Sequence, residues 1–221
     1  MPARIVPKNY RNLTGLVYNS RTHSLSAFES SLERDYLLLL DFDPAVECYE
    51  EQPVTIKYDD CEGRLHRYTP DVFVRYRNDA NAKPVLCEVK YRDDLRQHWA
   101  EYKAKFKAAH RYARERGWRF RLLTEREIRT PFLANVKFLR QYQALVVDQA
   151  EQHLLLQALA QQPTTDVESV LAAVTTDRWR QAQLLPVLWH LVAQHQVGVD
   201  LRHALTRGSP LWPIEPMARS R

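Results

Sequence analysis

The stretch "TPDVFVRYRNDANAKPVLCEVKY", Thr69 to Tyr91, places Asp71 just before one apolar run and Glu88 and Lys90 inside a second. Buried charges cost several kcal/mol unless they are paired or hold a metal ion, so an acid and a lysine in such a run need a cause. Side chains alternate along a strand. In "VLCEVKY" Val85, Cys87 and Val89 therefore point one way, and Leu86, Glu88 and Lys90 the other. Two carboxylates from neighbouring strands, Asp71 and Glu88, can converge on one divalent cation through hard oxygen ligands of the kind Mg2+ prefers. Such an ion activates a water and neutralises charge on a phosphate. Lys90, on the same face as Glu88, can orient that water or steady the charge of a pentacovalent phosphorane. Taken alone, an acid-x-Lys triplet reads more readily as a surface ion pair, so its context decides.

The elements around these residues have to position them. Before them, "SAFESSLERDYLLLL" has Phe28, Leu32, Tyr36 and Leu39 at helical spacing, and Ser26 followed by Glu29 has the spacing of a capping box. Pro44 ends this helix. From Tyr49 to Tyr76 the pattern turns to alternation, with "PVTIKY", a turn at "CEG" and a return through "RLHRYTPDVFVRY", which predicts a hairpin-rich β segment. A polar loop, "NDANAKP", leads to the strand of Glu88. After it, "RDDLRQHWAEYKAKFKAAHRYARERG" sets Leu95, Trp99, Tyr102, Phe106, Ala109 and Ala113 on one helical stripe, with an acid pair at its start and Gly117 as its stop. "WRFRLLT" then alternates as a short strand. Helix, hairpin strands, strand, helix and strand in this order predict an α/β domain.

Composition sets the wider frame. The 221 residues suffice for one large domain or two small ones, and the net charge is only +5. Its distribution is uneven: Glu29 to Glu62 carries eleven acids against Arg34 and Lys57, while Lys90 to Arg129 carries thirteen basic residues against six acids. An acidic cluster beside a basic stretch suits a site that gathers metal ions and docks a polyanion, although charge runs more often are solvated faces. No stretch reaches the roughly 18 consecutive apolar residues of a membrane helix, so no membrane partner is expected. Cys48, Cys61 and Cys87 show no zinc-site spacing and read as reduced thiols of a cytoplasmic protein. Residues 1–23 lack periodicity and read as an arm whose Arg4, Lys8, Arg11 and Arg21 could touch phosphate. Residues 24–130 read as the α/β domain. Residues 131–221, rich in Leu, Gln and Ala with a break at Pro163, read as a helical domain. Its end, "VGVDLRHALTRGSPLWPI", has the apolar stretches about Gly208 that a winged-helix hairpin would need.

"PD" at Pro70 and Asp71, sixteen intervening residues, and "EVK" from Glu88 to Lys90 at a strand end before a helix resemble the PD-(D/E)xK nuclease core. More particularly, "SLERDYLLLLDFDPAVECYEEQPVTIKY", "RYTPDVFVRY", "VLCEVKY" and "WRFRLLTEREIR" in this order resemble the N-terminal domain of TnsA-type transposon endonucleases over Ser26 to about Leu139. The resemblance implies a restriction-endonuclease-like core, a mixed sheet flanked by helices, followed by a mainly helical winged-helix-like domain. It also implies a Mg2+-dependent endonuclease, with Mn2+ as a substitute, that cuts the 5′ strand at each transposon end. Its partners would be double-stranded end DNA, a TnsB-like DDE transposase and a TnsC-like AAA+ regulator meeting the C-terminal domain, in the bacterial cytoplasm at the nucleoid. Glu33, in "SLER", would join Asp71 and Glu88 on the metal, and Lys90 would assist the water. Some relatives carry Gln where this chain has Glu88. Two other readings compete: a free-standing nuclease of restriction or resolvase type, and a catalytically silent DNA-binding accessory.

Lys103, Lys105, Lys107, Arg111 and Arg114 could bind phosphates from the helix after the Glu88 strand, or could simply line a solvated face. Gln52 reads as a buried amide that satisfies backbone groups near the hairpin. The eight histidines form no ligand pair near the acids. Trp179, Trp189 and Trp212 read as core anchors of the second domain.

Overall fold

The computed structural model describes residues 14–60, 62–77, 82–162 and 164–214. Arg4, Lys8, Arg11, Cys61, Pro163 and most of the "NDANAKP" loop lie outside them. The chain divides into two compact units, 1–129 and 130–221.

The first unit opens with β1 (Gly15–Asn19) and β2 (Ser24–Phe28), an antiparallel pair in which Ser26 faces Val17. This corrects the expected unstructured arm through residue 23 and the expected helix start at Ser26. The cause is a tertiary contact. Gly15 lies so close to the Phe28 ring that an added Cβ would meet Cζ at 2.6 Å, and a bare backbone there lets the two strands close.

Helix α1 (Ser31–Phe42) begins one cap later than its sequence pattern suggests. Ser30 Oγ accepts the Glu33 N–H at 3.1 Å, and the Glu33 carboxylate accepts the Glu29 N–H at 2.9 Å. "SAFE" and "SSLE" have the same cap spacing, and the second is used because it leaves Leu32, Leu37 and Leu40 buried.

Strands β3 (Val46–Glu51), β4 (Ile56–Asp59), β5 (Leu65–Tyr68), β6 (Val72–Tyr76) and β7 (Val85–Val89) follow, then helix α2 (Arg92–Glu115), β8 (Arg119–Leu123) and the short α3 (Glu125–Ile128). The central sheet has the order β3-β6-β7-β8, antiparallel except for the β7/β8 pair, while β4 and β5 form a separate hairpin. Parallel neighbours require a crossover, and α2 supplies it between β7 and β8.

Alternation along β7 divides the core in two. Val85, Cys87 and Val89 pack with Val72, Val74 and the α1 residues Leu32, Tyr36, Leu37 and Leu40. Leu86 packs with Phe73 and the α2 residues Phe106, Ala109 and Ala113. The Cys87 thiol meets the Tyr36 hydroxyl at 3.2 Å, and burial pushes its pKa up to about 11. Helix α2 breaks helical geometry at His98 and ends before Gly117, whose φ of +72° glycine adopts without strain. Trp99, expected on the buried stripe, is half exposed one residue past that break.

The second unit contains α4 (Pro131–Gln143), α5 (Gln149–Gln161), β9 (Thr165–Asp166), α6 (Val167–Val174), α7 (Arg178–Ala193), β10 (Val197–Val199) and β11 (Pro210–Pro213). Asp148, Asp166 and Asp177 cap α5, α6 and α7 through their side chains. The strands form an antiparallel sheet of order β10-β11-β9. Trp189 is buried as expected of a core anchor, but Trp179 and Trp212 are exposed, a correction to that expectation. Trp179 is the second residue of α7, beside its Asp177 cap, where the helix has not yet entered the core. Trp212 lies across from Gly198, where an added Cβ would fall 2.0 Å from the indole Nε1.

Candidate active site

The sheet brings the chemistry-bearing residues to one end of β6 and β7. Asp71 immediately precedes β6. Its N–H donates to Cys87 O at 3.1 Å, and its Oδ2 accepts the Val89 N–H at 2.7 Å, so β7 backbone holds it from both sides of Glu88. Glu88 is 1% exposed, yet both of its oxygens have partners. The Tyr68 hydroxyl donates to Oε2 at 2.6 Å, while Lys105 Nζ and Lys90 Nζ lie 3.3 and 3.5 Å from Oε1. Lys90 also reaches Asp71 Oδ2 at 3.9 Å. Its backbone N–H donates to Leu123 O, which fixes the strand end where its side chain leaves. These partners offset the desolvation of a buried acid.

Electrostatics mark the same point. Burial first, and then the Glu88 charge, push the Asp71 carboxyl well above the usual range against the opposing pull of Lys90. Burial works against the Lys90 charge, but Asp71, Glu88 and Glu33 outweigh it and raise the ammonium above its ordinary value. The amine therefore stays protonated at neutral pH. In that form it donates hydrogen bonds and stabilises anionic charge.

Glu33 feels this cluster without bonding to it. One of its oxygens accepts the Glu29 N–H and the other the Ser30 hydroxyl, both at 2.9 Å. Burial raises its carboxyl too, partly offset by these bonds and by Lys90. Among the described residues no group of three Asp, Glu, His or Cys side chains is gathered closely enough to form a metal cage. The structure thus brings Asp71, Glu88 and Lys90 together and leaves Glu33 one hydrogen-bonded cap away.

Three neighbours were not assigned to this site by the sequence. Lys105, grouped with the phosphate-binding lysines, instead turns to Glu88. The available signal was its position between Tyr102 and Phe106 on the apolar stripe of α2, where a lysine needs a partner. Tyr68 carries no distinguishing pattern. Gln52 takes a positive φ of +48° and gives its N–H to Asp71 O at 2.8 Å, while its Nε2 donates to Glu29 Oε1 at 2.9 Å. Its side chain thus binds a carboxylate rather than backbone, and its buried Oε1 has no hydrogen-bond partner among the described residues.

Asp71, Glu88, Lys90, Lys105 and Gln52 line a cleft of about 490 Å3. Glu33, Lys90 and Tyr102 line a second of the same size, so Lys90 borders both. A larger cleft of about 1070 Å3 lies between the β4–β5 hairpin and α2, lined by Tyr58, Arg64, His66, Lys103, Lys107 and Arg111 among others. Of its acids Asp59, Asp60 and Glu101, Asp60 is paired with Arg64 at 2.9 Å and hydrogen-bonded to His66 at 2.8 Å, and the three form no metal-holding group, so size does not make this cleft the reaction site. Arg114 is exposed and does not line that cleft. Paired acids with a fixed ammonium, open to solvent on one side, suit hydrolysis of a phosphodiester.

Residues 43–125 match the family model described as TnsA-like endonuclease N terminal, and residues 127–201 match TnsA endonuclease C terminal. No curated protein matches the chain. Asp71, Glu88, Lys90 and Lys105 fall inside the first match, and Glu33 precedes it. With both domain matches in order along one chain, this protein belongs to the TnsA family of transposon endonucleases.

Proposed function

We propose that this protein is the subunit of a heteromeric transposase that cuts the 5′, non-transferred strand at transposon ends with the help of a divalent metal ion. The observation that carries the reading is the Asp71, Glu88 and Lys90 cluster on neighbouring strand ends. Its donor set suits Mg2+ or Mn2+, because every acid offers hard oxygen; burial first, and then the neighbouring Glu88 charge, raise the Asp71 carboxyl, and a bound cation would offset both. Asp71 and Glu88 would hold the ion, with Glu33 as the third carboxylate. When bound, the ion supplies a polarised water and positive charge at the phosphate. Lys90, protonated and held by both acids, donates to the oxygen on which charge develops during attack. The Asp71 bond to Val89 N–H and the Tyr68 bond to Glu88 fix the two carboxylates before substrate arrives.

For the DNA, Lys103, Lys107 and Arg111 recur every four residues along α2, line one cleft and make no ion pair with another described residue. They are the phosphate contacts of this reading. In the second unit, the order α5, β9, α6, α7, β10, β11 with strand order β10-β11-β9 supports a winged helix. Exposed Arg178 and Trp179 begin α7 on a face suited to DNA or to an AAA+ regulator. A DDE transposase would cut and join the other strand, in the bacterial cytoplasm.

Purified protein with its cognate transposase, end DNA and Mg2+ tests this. The expected result is a 5′-end nick that disappears in Asp71→Ala while DNA binding persists. Cleavage of arbitrary DNA without partners would favour a free-standing nuclease instead. Absence of cleavage in every combination would leave a DNA-binding accessory.

A further inference from the structure

Lys105 is not a solvated helix lysine. Its side chain is 16% exposed, its Nζ lies 3.3 Å from Glu88 Oε1, and three rings surround the ammonium: Tyr102 at 4.2 Å, Tyr68 at 5.0 Å and Phe106 at 5.1 Å from ring centroid to nitrogen. Ring faces attract a cation and shield it from water, so the amine is held in place rather than swinging freely. Tyr68 does two things here, since its hydroxyl also grips the other Glu88 oxygen. Lys90 Nζ reaches the same Oε1 at 3.5 Å. One carboxylate oxygen thus already carries two ammonium groups.

A hard divalent ion binds such an oxygen at about 2.1 Å. An ion held by that oxygen would have to share it with Lys105 Nζ, 3.3 Å away, so two positive charges would compete for one carboxylate. Lys90 borders two open clefts and, among the described residues, has no ring about its ammonium, whereas Lys105 borders one of them and is held there by three rings.

We propose, on the metal-dependent reading given above, that Lys105 is a positioning residue that holds Glu88 and competes with the divalent ion for it. Ion binding by the protein alone is therefore weak. The phosphate of bound DNA restores the missing negative charge, so DNA and metal bind cooperatively. A nuclease so arranged does not charge its site with metal away from its substrate.

The test is Mn2+ binding by the full chain, read by electron paramagnetic resonance, with Asp71→Ala defining the component that belongs to the site. Lys105→Met fits the aromatic cage and removes the charge; Lys105→Gln does the same with a polar end. Both are expected to bind the Asp71-dependent Mn2+ roughly tenfold or more tightly than the wild type without DNA, while Lys105→Arg stays within about threefold. Added duplex DNA should tighten Mn2+ binding in the wild type more than in Lys105→Met. Equal or weaker binding by both Lys105→Met and Lys105→Gln, with a wild-type site present, overturns the competition. No Asp71-dependent Mn2+ in the wild type, with DNA or without, overturns the metal reading itself and this inference with it.

Discussion

The two faces of β7 are buried alike and built differently. Cys87 and Glu88 are adjacent and each is 1% exposed, but Cys87 lies among valines and leucines whereas Glu88 lies among a tyrosine and two lysines. On the first face burial itself stabilises, by about 25 cal/mol for each Å2 of apolar surface removed from water. At Glu88, on the second, it is an expense that hydrogen bonds and ion pairs offset, while Leu86 on that face still packs against Phe73 and α2. The comparison teaches that alternation lets one strand keep one face wholly apolar and give the end of the other to chemistry.

Substitutions on the two faces should therefore fail in different ways. Asp71→Asn gives the largest expected effect: end nicking falls on the order of 10³-fold in a gel assay, since an amide cannot replace a charged ligand. The same change should raise the thermal midpoint at pH 7. The Asp71 carboxyl is raised in the folded protein, so its favourable contribution to stability is complete below the unfolded value of about 3.9 and is lost as pH rises through the folded value. The advantage of Asn is then greatest at neutral pH and shrinks in acid, which melting curves at several pH values will show.

On the apolar face, Leu37→Ala should cost about 2–5 kcal/mol in urea unfolding, with nicking by the fraction that remains folded little changed. A loss of catalysis without a loss of stability at Leu37 would break the distinction between the faces. The smallest effect is expected for Ser30→Ala, which removes the α1 cap at a cost of about 1 kcal/mol and releases one Glu33 oxygen. If Glu33 is a ligand, nicking should survive this change at saturating metal.

The parts of the fold legible in the sequence were those governed by short periods. Alternation in "VLCEVKY" separates Val85, Cys87 and Val89 from Leu86, Glu88 and Lys90, and the structure packs the two sets into different clusters. Distant contacts were not legible. The β1–β2 hairpin depends on Gly15 meeting Phe28, and the α1 start depends on which of two equivalent Ser-x-x-Glu spacings buries the leucines. Lys105 was grouped with its neighbours because spacing along α2, although it spreads these cations over more than one stripe, does not say which of them meets a partner; helical rotation turns residue 105 away from 103, 107 and 111 and into the stripe of Tyr102 and Phe106. The exposure of Trp179 and Trp212 shows the same limit, since indole size argues for burial and only packing decides it.

The contact between Tyr36 and Cys87 has a practical outcome. A thiol that stays protonated to about pH 11 behind α1 is almost inert to alkylating reagents, because the thiolate is the reacting species. Cys48 on β3 is only partly covered. The ratio of their labelling rates is therefore a clock for how often the helix lifts from the sheet, and it can be read while the protein works on DNA.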